Sequence, residues 1–158
     1  RRDDGSLQTL QVHIPAGIDE GQSIRLRGKG MAGSGGGASG DLIMKVHVQE
    51  KPGFSRKGMD VYSVVTVPFA TAVFGGEAVV QTLSGNVVCR IKEGTQSGSK
   101  IRLRGKGIVS MKDPSVHGDQ YVTVEVQVPR DLSPEAKQKL REFEAACRKS
   151  GGKRWSAA

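Results

Sequence analysis

The residues with most chemical potential lie in a seven-residue string, IRLRGKG, which occurs at Ile24–Gly30 and again at Ile101–Gly107. Arginines, a lysine and glycines this close together could cradle a phosphate. Gly28, Gly30 and Gly33 also fit GxGxxG, which binds a dinucleotide pyrophosphate when a helix starts directly after it. Here the next residues are SGGGASG, which cannot open a helix, and the second copy carries Ser110 in place of the third glycine. A P-loop fails too, because neither Gly-Lys is followed by Ser or Thr. His13, His47 and His117 have no ligand-spaced companions, whereas structural zinc wants four N or S donors. Cys89 and Cys147 lack CxxC spacing and are too few for a disulfide framework, so a reducing compartment is the default. Asp41 and Asp119 each follow a glycine before a strand-like run, a placement that ties down a turn rather than supplying a base. No nucleophile, acid–base pair or metal set emerges, and the chain reads as a non-enzyme without a cofactor.

The repeat is longer than its core. IPAGIDEGQSIRLRGKG (14–30) aligns with IKEGTQSGSKIRLRGKG (91–107), and each copy then runs through a variable stretch to Gly-Asp and an alternating apolar run. Alternation with period two marks strands with one buried face. Leu10, Val12 and Ile14 form one such set. Ile24 and Leu26 form another, with Arg25 and Arg27 outward. Leu42, Met44, Val46 and Val48 share a face, as do Val122, Val124, Val126 and Val128. Between the copies, MDVYSVVTVPF (59–69) reads as a strand ended by Pro68. ATAVFGG then suits one helical turn, and EAVVQTLSGNVVCRI (77–91) a hairpin turning at Ser84, Gly85 and Asn86. One long helix is predicted near the end. Ser133 caps it, Pro134 takes its first position, and Gly151–Gly152 stop it. Ala136, Leu140, Phe143 and Cys147 fall in one stripe, which could dock on its own subdomain or meet a partner chain.

The expected fold is mainly β: two tandem small sandwich-like subdomains related by the internal repeat, plus a C-terminal helix. The expected boundaries are 1–50 for the first subdomain, 51–130 for the second, 131–150 for the helix and 151–158 for a disordered tail. The opening RRDDGS reads like the interior of a longer protein, which makes the first subdomain incomplete.

The net charge of +8 permits an anionic partner. However, the basic residues are dispersed, and four Phe, two Tyr and one Trp are few for a surface built on base stacking. A basic β-rich nucleic-acid-binding module is therefore the alternative reading. No apolar run approaches the roughly 20 residues that span a bilayer, and no signal segment opens the chain. The remaining candidate is a sheet margin with apolar side chains beside it, which can take an extended polypeptide as an added strand. Leu10–Ile14 and Leu42–Val46 are the runs that fit, although a plain core would show the same alternation.

These features together resemble the C-terminal peptide-binding and dimerisation region of bacterial DnaJ-type co-chaperones. LQVHIPAGIDEGQSIRLRGKG, VPFATAVFGGE, the second IRLRGKG and DLSPEAKQKLREFE carry the resemblance, in continuous order over about residues 7–147. It implies a cytoplasmic homodimer that binds unfolded or misfolded polypeptides and passes them to the ATP-driven seventy-kilodalton heat-shock chaperone. It also implies a client site on the first subdomain at Leu10, Val12, Leu42, Met44 and Val46. Dimerisation would run through Ala136, Leu140, Phe143 and Cys147. The family's zinc-binding CxxCxGxG motifs and its ATPase-stimulating His-Pro-Asp are absent from this sequence.

Overall fold

The computed structural model describes residues 6–149. In chain order it contains β1 (Ser23–Leu26), a 3-10 turn (Ser34–Gly36), β2 (Leu42–Lys45), β3 (Ser55–Lys57) and β4 (Asp60–Pro68). These are followed by α1 (Phe69–Phe74), β5 (Gly76–Thr82), β6 (Gly85–Ile91), β7 (Lys100–Leu103), β8 (Gln120–Gln127) and α2 (Pro134–Lys149). The chain is mainly β, in several small sheets with one long C-terminal helix.

β1 and β2 form an antiparallel ribbon in which Ile24 faces Met44 and Leu26 faces Leu42. The second copy builds a four-stranded sheet in the order β3-β4-β8-β7, with β5 and β6 as a separate hairpin. β4 and β8 run parallel, from Val61 opposite Gln120 to Pro68 opposite Gln127. The hairpin lies over this sheet. Val67, Ala72, Ile91 and Val124 form one buried cluster, and Val80, Cys89 and Val122 form another. Alternation explains both: in β4, Val61 and Val67 are buried while Tyr62 and Val64 are exposed. A fully buried Gln120 bolts the layers together, its Nε2 donating to Ser63 Oγ and to the Gln81 carbonyl oxygen at 2.9 Å each.

α1 ends where expected, with Gly75 at φ +80°. α2 is capped as expected: Ser133 Oγ accepts the Ala136 N–H at 3.1 Å. Its predicted Gly151–Gly152 stop and the 151–158 tail lie outside the described residues.

Four expectations are corrected. Leu10–Ile14 is not a strand, and Ile14 is 55% exposed. Its counterpart in the repeat, β6, is held by a seven-residue ladder with β5; Leu10–Ile14 belongs to no strand among the described residues. Second, residues 55–57, which carry no strand pattern in the sequence, form a short strand, β3, paired to the start of β4. Third, the hairpin turns at Leu83 and Ser84, one residue early, because Thr82 Oγ1 accepts the Ser84 N–H and donates to the Gly85 carbonyl oxygen. Fourth, Val128 falls beyond the end of β8 and is exposed.

Candidate functional site

The repeated string builds a turn, twice. After β1, Gly28 adopts φ +69°, and after β7, Gly105 adopts φ +72°, a left-handed geometry that glycine enters without cost. In the first copy Asp41 Oδ1 accepts the Gly28 N–H at 3.0 Å and Oδ2 accepts Arg25 Nε at 2.6 Å. In the second, Asp119 Oδ1 accepts the Gly105 N–H at 2.9 Å and Oδ2 accepts Arg102 Nε at 2.8 Å. The Gly105 N–H and the Arg102 guanidinium hold the Asp119 carboxyl below the usual carboxylate range, and Asp119 in turn raises Arg102. The last glycine of each string is packed on backbone. A Cβ on Gly30 would lie 2.5 Å from the Asp41 carbonyl oxygen, and one on Gly107 2.4 Å from that of Met59. The GKG signature is thus a steric and hydrogen-bonding requirement of the turn. One arginine of each copy is already neutralised by its own aspartate, which weakens any phosphate-binding reading.

The apolar positions group differently. Leu42 and Met44 share one face of the ribbon with Ile24 and Leu26, their cross-strand partners. Val46 continues that face through the bond from its N–H to the Gln22 carbonyl oxygen at 2.8 Å. All five are half-buried, as are Leu10 and Val12 on the segment before them. On the opposite face Ile43 is 67% exposed. Ile24 and Leu26 enlarge the face beyond the positions singled out in the sequence. Their alternation with Arg25 and Arg27 was the signal for them. The margin of β2 that faces away from β1 carries no strand among the described residues. In the second copy the same margin, on β8, is filled by β4. Glu20 closes the far end of the ribbon, accepting the Val48 N–H and bonding His47 Nδ1 at 2.8 Å. Those bonds, the Val48 one foremost, lower its carboxyl below the usual range.

On α2, Ala136 and Cys147 are half-buried, while Leu140 and Phe143 keep 43% and 37% of their surface. Phe143 meets Phe69 of α1 edge-on, ring centres 6.5 Å apart. The stripe touches its own chain and is left uncovered over much of its length; the sequence had not pointed to Phe69.

The remaining reactive groups stay apart. Cys89 is buried, and burial pushes its thiol up from the ordinary value. Among the described residues no three His, Cys, Asp or Glu side chains come close enough to hold a metal ion. No helix of the described residues is long and apolar enough to cross a membrane. Between ribbon and sandwich lies an open cleft of about 580 Å³, lined by Ile18, Val48, Arg56, Leu83, Ile108 and His117 among others. Arg56 was missed in the sequence, since its partners lie far away along the chain.

The DnaJ C terminal domain family matches residues 4–129 of this chain. A chaperone protein DnaJ of Bordetella petrii is 48% identical over 144 residues, 91% of this chain and 38% of the relative. The chaperone protein DnaJ of Burkholderia thailandensis is 44% identical with the same coverage. That of Lachnospira eligens is 43% identical over 141 residues, 89% of this chain and 38% of the relative. The chain therefore spans under two-fifths of the length of these relatives.

Proposed function

Because this chain belongs to the DnaJ C-terminal domain family, we propose that it is the part of a co-chaperone that holds unfolded or misfolded polypeptides, with no reaction catalysed and no cofactor of its own. The observation that carries this reading is the half-buried apolar face of Leu42, Met44 and Val46 beside a strand margin that has no strand partner among the described residues. An extended client segment gains main-chain hydrogen bonds at such a margin and places alternate apolar side chains against the face. Leu10 and Val12 extend the same site. Unfolded chains are the partners that offer open backbone and large apolar side chains together. In the longer protein the held client passes to the ATP-driven seventy-kilodalton heat-shock chaperone, in the cytoplasm. The exposed Leu140 and Phe143, with Ala136 and Cys147, supply a stripe through which two copies pair.

The test is Met44→Asp in the longer protein, with binding of a reduced, permanently unfolded client measured at low and high salt. A charge forced into the apolar face should weaken binding roughly tenfold or more, and wild-type affinity should change little with salt. Unchanged affinity in a folded variant would remove Met44 from the site. A steep loss of wild-type binding with salt would instead favour the nucleic-acid-like, charge-driven reading.

A further inference from the structure

The ribbon of the first copy and the sandwich of the second are joined by residues 49–54, which contain Pro52 and a left-handed Gly53 (φ +86°) and form no strand or helix. Such a connection does not by itself set an angle between two bodies. Arg56 crosses the gap with hydrogen bonds. Arg56, on β3, has a side chain only 16% exposed. Its Nη1 donates to the Ile18 carbonyl oxygen at 2.7 Å and its Nη2 to that of Gly17 at 2.7 Å. Its Nε donates to the Gly58 carbonyl oxygen of its own turn at 2.8 Å, and Asp19 Oδ1 lies 3.6 Å away. The contact around it is tight. Ile18 is buried, and Gly17, at φ +88°, sits so close to the Val109 carbonyl oxygen that a Cβ would come within 2.1 Å of it.

The duplication shows that this bridge is not part of the repeated design. Gly17 and Ile18 align with Gly94 and Thr95. In the second copy that turn uses its N–H groups, donating to the Val73 and Ala72 carbonyl oxygens of α1 at 3.2 and 3.0 Å. In the first copy the turn offers its carbonyls instead, and a guanidinium from the neighbouring unit takes both. A planar fork with several fixed donors suits two adjacent carbonyls, and an ammonium or amide cannot reproduce it.

We infer that Arg56 is the latch that fixes the ribbon on the sandwich, so that the apolar face of the first unit is presented at one set angle to the sheet and helix of the second. Hydrogen bonds from a charged donor are strong enough that losing them should make the contact open roughly ten- to hundredfold more often.

The experiment uses the whole chain with spin labels at Lys29→Cys and Asn86→Cys, both exposed, in a Cys147→Ser background; Cys89 is buried. With Arg56 in place one narrow distance distribution is expected. Arg56→Ala should at least double its width and speed amide exchange at Ile18 roughly ten- to hundredfold. Exchange at Val46, within the ribbon, and at Val124, within the sandwich, should stay slow. Asp19→Asn should keep the narrow distribution, because the carbonyl bonds do the holding; broadening there would overturn the assignment to the fork. A folded Arg56→Ala with unchanged width would overturn the latch. If Arg56→Ala does not fold, Arg56→Gln carries the same test, since its single short amide cannot span both carbonyls. No client enters this measurement, so its outcome is independent of whether the ribbon holds polypeptide.

Discussion

Ile14 and Ile91 occupy the same position of the repeat, four residues after an apolar alternation begins, and the structure gives them opposite surroundings. Ile91 is 2% exposed and packs with Val67, Ala72 and Val124. Ile14 is 55% exposed. Truncating isoleucine to alanine removes three carbon groups, a transfer loss of about 2.4 kcal/mol when the side chain is fully buried. The cavity left beneath the hairpin adds to this, so Ile91→Ala should cost about 3–4 kcal/mol. At about 2–4 °C per kcal/mol for a chain of this size, the melting temperature should fall by roughly 6–16 °C. Ile14→Ala leaves no comparable cavity and takes less than half of its surface from water, so about 1 kcal/mol or less is expected. Urea unfolding followed by far-UV circular dichroism reads both values in matched samples. Equal losses at the two positions would refute the claim that the β5–β6 layer, rather than the local sequence, is what buries this isoleucine.

Two further outcomes follow from the turn and the helix. Asp119 is held below the ordinary carboxylate value by the Gly105 N–H and Arg102, so its stabilising contribution is complete above the unfolded value of about 3.9 and is lost as pH falls through the lowered folded value. The Gly105 amide resonance should therefore stay constant at neutral pH and move only in acid. Asp119→Asn should place it near its acid position throughout and lower the melting temperature at neutral pH. A Gly105 shift that ignores both changes would separate Asp119 from the turn. On α2, the proposed pairing of two copies puts Leu140→Asp twice into one two-fold interface, so it should weaken self-association roughly a hundredfold or more by sedimentation; a wild-type chain that stays monomeric, or self-association that the substitution leaves unaltered, would overturn the pairing through this stripe.

What was legible in the sequence was whatever depends on near neighbours. The alternation of β4, β6 and β8, the Ser133 cap, the glycine stop of α1 and the Gly-Asp ties all arise within a few residues or within one repeat, and each is present. The misread strands share one physical origin. A strand exists only where a second strand supplies hydrogen bonds to its backbone, and periodicity says nothing about whether that partner is at hand. Leu10–Ile14 has the pattern of a strand and no ladder. Ser55–Lys57 is three residues with no apolar pattern, yet it is a strand because β4 begins beside it and Val61 faces Arg56. The parallel pairing of β4 with β8 joins segments about 60 residues apart, a separation that no local spacing encodes. For the candidate site the same rule decides what can be held there. In the second copy the margin of β8 is satisfied by β4 of the same chain, so it has no backbone groups to offer. The equivalent margin of β2 has the same strand chemistry and no such occupant among the described residues. An added polypeptide would therefore meet at β2 the bonding that β8 has already spent, and the apolar side chains beside it would decide which segments stay.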